Sequence, residues 1–425
     1  MNQISSFALK DICKLIIDCE HNTAPIQPEG YPSIRTPNIG RGRLILEGVN
    51  RVSEETYKRW TQRAIPRVDD LILAREAPIG NVAIIPKNLR VCLGQRTVLI
   101  RPDKSKVDPN YLVYLLLGDE VQGRILSFSN GATVHHLNMA DIRNLRLPPL
   151  PSLPTQRKIA SILSAYDDLI ENTRRRIAIL EEMAQSLYRE WFVHFRFPGY
   201  EKKRLIELDL GLIPEGWEVV KLGDIAKELR RGINPESIDP ETPYFGLEHL
   251  PRKSIALSEW GIAKEVQSTK LIFKKDEILF GKIRPYFHKV GVASIDGVCS
   301  TDIIVIVPRA EQYFAITLCC VSSDEFVNHA TQTSQGTKMP RANWDVLVRY
   351  PIVLPPSHIL SRFDVVLQGI VLQIQNMIFR NRNLRQTRDL LLPRLISGEV
   401  DVERLDIHVE GGTYESGRDQ IPSIS

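Results

Sequence analysis

Two stretches of the chain carry apolar residues at heptad spacing, and they predict two long helices. In the first, Ile159, Tyr166, Thr173, Leu180 and Leu187 form one row, with Leu163, Ile170, Ile177, Ala184 and Trp191 as companions. A shift of 204 positions gives Phe363, Ile370, Met377, Leu384 and Leu391, then Leu367, Ile374, Asn381, Arg388 and Leu395. Seventeen of these twenty positions are apolar. That is the seam of a coiled coil, where each helix buries one stripe against its partner. Ser152 is placed to cap the first helix, with Pro154 tolerated in its opening turn, and Ser357 plays the same part for the second. Pro198-Gly199 stops the first helix, while Pro393 bends and Gly398 ends the second. Each helix is then roughly 55–60 Å long at the standard rise per residue. The charge runs between the rows, Arg174-Arg175-Arg176 and Glu181-Glu182, read as a solvated face or a partner surface.

The segments before the helices repeat as well. Asp70–Pro78 and Asp276–Pro285 each run from an acidic turn through an apolar strand to a basic residue and a proline. Cys92–Pro102 mirrors Cys299–Pro308. A third pair begins at Gly131 and Gly336 and leads through Asn138 or Asn343 and Asp141 or Asp345 to the proline-rich exits Leu147–Pro151 and Pro351–Pro356. The organisation is a globular unit (1–151), a helix (152–197), a second globular unit (198–356), a second helix (357–398) and a tail (399–425). The predicted class is α+β, two pseudo-repeated α/β units joined by two long antiparallel coiled-coil helices. Antiparallel packing follows if the repeats obey a two-fold relation, and it would hold two heads at the ends of a rod. The tail from about Glu410, rich in Gly, Ser and charge, reads as disordered.

At several of these motifs the chain resembles the specificity subunits of type I restriction–modification systems. The run Phe273–Tyr286 (FKKDEILFGKIRPY), with Tyr244–Leu250 (YFGLEHL) and Gly297–Asp302 (GVCSTD), closely resembles a signature of that family. Leu150–Ile159 looks like the lead-in to the family's central conserved helix, and Leu391–Glu399 like its distal exit. The resemblance covers nearly the whole chain up to about Asp406. It implies two target recognition domains, each reading half of a split site on double-stranded DNA. The long helices would form the spacer and the dock for two methyltransferase subunits, which restriction/translocase subunits join. Methylation and cleavage would belong to those partners. The first half departs from the pattern, because Ala74–Gly80 replaces the fuller form around Lys282, and the second helix carries Asn381 and Arg388 in its seam.

Composition narrows the class without deciding it. A chain of 425 residues exceeds one ordinary core. Apolar content of 43% and charged content of 25% are those of a soluble globular protein. The six cysteines show no C-x-x-C unit, and neither a membrane span nor a secretory signal is visible, so a cytoplasmic address is expected. Cys19-Glu20-His21 lacks a second ligand pair, and no metal or cofactor is expected. The net charge of +4 neither requires nor excludes nucleic acid.

Catalytic motifs are missing. There is no glycine-rich methyl-donor loop and no Asn- or Asp-Pro-Pro-aromatic motif, since Pro148-Pro149 and Pro355-Pro356 lack the flanking residues. Phosphate-loop, zinc-protease and serine-elbow patterns are absent too. The adjacent acids Asp69-Asp70 and Asp167-Asp168 suit turns and helix surfaces better than acid–base work. No catalytic residue is therefore assigned.

Candidate DNA contacts lie where loops leave strands. Lys282, Arg284, Tyr286, His288 and Lys289 alternate basic and aromatic groups, which suits gripping phosphates and reaching base edges. Lys338 and Arg341 follow Gly336 on another loop, and Arg35, Arg41, Arg43, Arg75 and Arg96 are the first-domain counterparts. His135-His136 is either a base or phosphate contact or plain surface. For any single Lys or Arg the competing reading is solubility, and Tyr286 fits a core equally well, so the cluster carries the assignment. Trp191, Phe192, Phe195 and Phe197 are expected to pack against the second domain, with a methyltransferase contact as the alternative. The rival for the whole chain is a coiled-coil scaffold whose globular ends bind proteins.

Overall fold

The computed structural model describes residues 7–128, 136–208 and 211–407. It divides into two compact units, one of residues 1–168 with 385–425 and the other of residues 169–384. The boundaries therefore fall inside the long helices.

In the first unit, Cys13–Asp18, Thr97–Pro102, Leu71–Ala74, Val82–Ile84 and Gly42–Arg43 form a five-stranded sheet in that order. Leu71–Ala74 is buried along its whole length, which explains its continuous apolar run. A smaller sheet holds Arg51–Val52, Tyr31–Ile34 and Cys92–Leu93. Helix Pro109–Leu117 begins with Asp108, whose carboxylate accepts from the Tyr111 N–H, and with proline at the first position. Helix Asp119–Ser127 follows, and Arg146–Leu147 closes the unit by pairing with Phe7–Ala8.

The second unit repeats this plan. Ala226–Glu228, Ile303–Pro308, Ile278–Gly281 and Val290–Val292 make its first sheet, and Ile278–Gly281 is again fully buried. The other sheet contains Lys270–Phe273, Gly297–Cys299 and Pro243–Phe245. Helices Phe314–Val321 and Asp324–Gln332 follow, the latter capped by Ser323, and Pro351–Leu354 pairs with Glu218–Lys221.

Backbone bonds fix the alignment of the two repeats. Asp69 and Asp276 both sit at φ +68° before the buried strand, and their amides donate to the carbonyls of Ile85 and Ala293. Gly94 and Ser300 likewise donate to the carbonyls of Ile34 and Phe245. Asp69, not Asp70, is thus the counterpart of Asp276, and Leu93, not Cys92, is the counterpart of Cys299. The sequence alone pairs Asp70 with Asp276 and Cys92 with Cys299, one residue out in each case, because only the ladder fixes register.

The first long helix runs Leu153–Tyr188 and continues through a π turn, Arg189–Val193. Ser152 Oγ accepts from the Thr155 N–H at 3.3 Å, as a cap should. The second runs Ser357–Ile396, so Ser357 is its first residue and not its cap, and Pro393 lies within it. Gly398 follows at φ +77°.

In the first unit, Ile159 and Leu163 share a core with Leu391 and Leu395. There Asp167 meets Arg388 and Lys158 meets Val402, so the partner numbers rise as the first helix is followed back, and the pair is antiparallel. In the second unit, Ile177, Ala184 and Trp191 share a core with Phe363, Leu367, Ile370 and Ile374. The Phe363 ring lies against Tyr188, Trp191 and Phe192. Ile170 is buried, while Leu180 and Leu384 are half-buried. Trp191, Phe192 and Phe197 pack with Trp217 in the second unit's core, with Phe195 against its edge.

Two expectations change. Asp70 is buried against Arg101, and Asp167 is buried against Arg388 and Tyr114, so neither is a surface acid. Glu181 is not part of a solvated charge run, because its Oε1 accepts from Ser254 Oγ and the amides of Ile255 and Ala256. Arg174, Arg175 and Arg176 are exposed. The start of the tail is docked, since Val402 is buried and Lys158 Nζ donates to the carbonyls of Val402, Glu403 and Leu405. Residues from 408 onward, including the tail read as disordered, lie outside the described residues.

Candidate nucleic-acid interface

The first unit's charged cluster forms where the buried strand Leu71–Ala74 ends. Arg75 donates its amide to the Arg96 carbonyl at 2.9 Å, and its own carbonyl accepts from the Leu137 amide at 3.1 Å. Its guanidinium donates to the Leu137 carbonyl through Nε, to Asp18 through Nη1 and to His136 Nε2 through Nη2. Arginine only donates, so Nε2 accepts, and Nδ1 carries the hydrogen given to Glu76 Oε1 at 2.7 Å. The other Glu76 oxygen holds Arg96 Nη1 at 2.9 Å. A chain of donors and acceptors thus runs Asp18, Arg75, His136, Glu76, Arg96, with the neutral His136 ring relaying between Arg75 and Glu76. Arg75 is buried, Glu76 is mostly covered and His136 is half-buried, while Arg96 keeps 62% of its side chain exposed at φ +66°.

The structure therefore gives Arg75 a structural position: it is 5% exposed and its donors are committed within the protein. Arg41 donates to the Leu117 carbonyl at a helix end, and Arg43 pairs with Asp168 on the long helix. Both hold the first unit together. Arg35 and Arg96 remain on the surface. His135 lies outside the described residues.

In the second unit the same strand end carries Lys282. Its amide donates to the Asp302 carbonyl at 3.0 Å, its carbonyl accepts from the Ala342 amide at 2.9 Å, and its Nζ donates to the Thr301 carbonyl. Arg341 stands 3.8 Å from Asp302 with most of its side chain exposed. Arg284, at φ +49°, reaches the Lys338 carbonyl at 3.4 Å and lies over the Phe287 ring, while its buried Nε has no acceptor among the described residues. Tyr286 is exposed, with its ring edge-on to Phe287, and Lys338 is exposed. Lys289 points inward: its Nζ donates to the Leu247 carbonyl, and burial, then the nearby Arg252 charge, hold its amine below the usual lysine range. His288 is buried against the Ser322 carbonyl.

Sequence reasoning found the cations but not the anions that orient them. Asp18 and Glu76 lie in different strands and loops and carry no local signal. Asp302 stands in the quoted GVCSTD run, yet its place beside Arg341 follows only from the fold. Among the described residues no three His, Cys, Asp or Glu side chains cluster as metal ligands, and no helix is long and apolar enough to cross a membrane.

Two repeats of one sheet plan, each with a charged rim, tied by long paired helices, define a duplicated recognition protein. The model of the type I restriction modification DNA specificity domain matches residues 1–182 and 214–381, and the chain belongs to that family. It is 29% identical over 377 residues to the type I restriction enzyme MjaIX specificity subunit of Methanocaldococcus jannaschii, covering 85% of this chain and 84% of that one. With the EcoDI specificity subunit of Escherichia coli it shares 26% identity over 340 residues, 73% of each chain. The crystal structure of a type I restriction–modification S subunit from M. genitalium matches with a TM-score of 0.57 at 15% identity, over 93% of this chain and 97% of that one. The fold is thus that of the S subunits. As a specificity subunit the chain is non-catalytic.

Proposed function

We propose that this chain reads an asymmetric, two-part DNA site for a type I restriction–modification complex. Each unit reads one half-site, and the chain docks two methyltransferase subunits, to which restriction/translocase subunits add. The observation that carries this reading is the repetition itself: one strand order and one set of backbone bonds recur, while the rim side chains differ. A shared frame with different side chains suits two heads that read different sequences. The site assignment rests on Arg35, Arg96, Lys282, Arg284, Tyr286, Lys338 and Arg341, which keep polar or aromatic surface at the rims.

Phosphate contacts of this kind make affinity fall steeply with salt. The test is retention of duplex DNA by the chain assembled with its methyltransferase, measured from low to physiological salt with specific and scrambled competitors. Salt-sensitive, sequence-selective retention is expected. Retention that ignores sequence, or none, would move the assignment to a protein-binding scaffold.

A further inference from the structure

The two units place different chemistry at one pair of backbone positions. Arg96 and Asp302 are equivalent, because each carbonyl accepts the amide of the residue that ends the buried strand, Arg75 or Lys282. His136 and Arg341 are equivalent too, since each precedes the residue, Leu137 or Ala342, whose amide returns to that residue's carbonyl. The first unit therefore presents a guanidinium at the first position and an imidazole at the second. The second unit presents a carboxylate and then a guanidinium.

The supports differ to match. Glu76 grips both Arg96 and His136 in the first unit. Its counterpart in the second is Ile283, which is buried and bridges to Arg341 by backbone. There Asp302 itself faces Arg341. A cation held from behind by a partly covered carboxylate has its direction fixed while its outer donors stay free. That is an arrangement for directional recognition, where a loose phosphate contact would need only charge.

Resting on the DNA-reading function proposed above, we infer that positions 96/302 and 136/341 are a matched specificity pair, with the charge at 96/302 reversed between the heads. Arg96 donates to a base edge that offers two acceptors, as guanine does in the major groove. Asp302 accepts from an exocyclic amino group, as cytosine offers, with Arg341 beside it to hold its orientation and supply a donor to the neighbouring base.

The test is methylated-base sequencing of DNA from cells carrying the chain, with its methyltransferase, as wild type, Arg96→Gln, Arg96→Asp, Asp302→Asn or Asp302→Arg. Arg96→Gln and Asp302→Asn should each cut methylation of the original motif about tenfold or more. Each should relax one base position in one half-site and leave the other half-site unchanged. The charge-reversing variants should move that position away from guanine and towards guanine, respectively. The unaltered half-site reports that the variant is folded and assembled. An unchanged motif, or a uniform loss across all sequences, would overturn the pair as readers. A wild-type chain that directs no motif at all would instead overturn the DNA-reading function.

Discussion

Asp167 on the first long helix and Arg388 on the second are bonded at 2.6 Å in the first unit, Oδ1 to Nη1, with the Tyr114 hydroxyl donating to the other carboxylate oxygen at 2.7 Å. An arginine in a heptad seam looks like a defect in the sequence. Here it neutralises a carboxylate that the seam has buried. Burial and the adjacent carboxylate push the Tyr114 hydroxyl far above its usual range, so it stays a donor.

Removing one partner strands the other. Arg388→Ala should cost about 3–5 kcal/mol by leaving Asp167 buried and unpaired. Asp167→Leu combined with Arg388→Met should cost less than the sum of the single changes. Thermal unfolding of the wild type, Arg388→Ala, the two single changes and the double variant checks this, and strictly additive losses would show that the pair is not coupled.

Arg75 and Arg96 should separate structure from recognition. Arg75→Ala removes the three donor bonds that brace the Leu137 carbonyl, Asp18 and His136 and should lower the melting temperature clearly. Arg96→Ala, at an exposed position, should change stability by no more than about 0.5 kcal/mol while weakening DNA retention. Equal stability losses from both would contradict the division of labour.

Glu181 ties the first long helix to the 254–256 loop inside the second unit. Glu181→Ala leaves the Ile255 amide without its acceptor and the Ala256 amide with only its longer bond to Ser254 Oγ, and should destabilise by about 1–3 kcal/mol, with Glu181→Gln in between. Urea unfolding gives the ordering, and a neutral Glu181→Ala would remove this anchor from the account.

Burial pushes the Cys92 thiol up to about 11 and the Cys299 thiol up to about 12, and the Tyr111 and Tyr350 hydroxyls up to about 12. Unfolded thiols ionise near 9.0, so the folded chain holds protons that the unfolded chain has released. This contribution is whole below about pH 9 and is lost as pH rises towards the folded values. The melting temperature should therefore fall between pH 9 and pH 11, and thiol reagents should label Cys92 and Cys299 slowly at pH 8. A flat alkaline profile would contradict it.

The sequence made the long helices and the duplication legible because heptad rows and repeated strand ends are local patterns. Phe363, Leu367, Ile374 and Trp191 fell where the rows put them. Register was less legible: Asp69 and Asp70 are adjacent acids, and only the left-handed turn at Asp69 tells them apart. The rim was half legible. Arg75 and Lys289 are basic residues beside strand ends, yet Asp18 and the Leu247 carbonyl draw them inward. Those partners lie 57 and 42 positions away, beyond the reach of any local pattern.

This chain is the part of its complex that chooses the DNA sequence to be modified. Co-expressing it with its methyltransferase and sequencing the methylated bases of plasmid DNA tests that most directly. One interrupted, asymmetric motif that disappears when this chain is omitted is expected. Methylation that persists unchanged without the chain would contradict it.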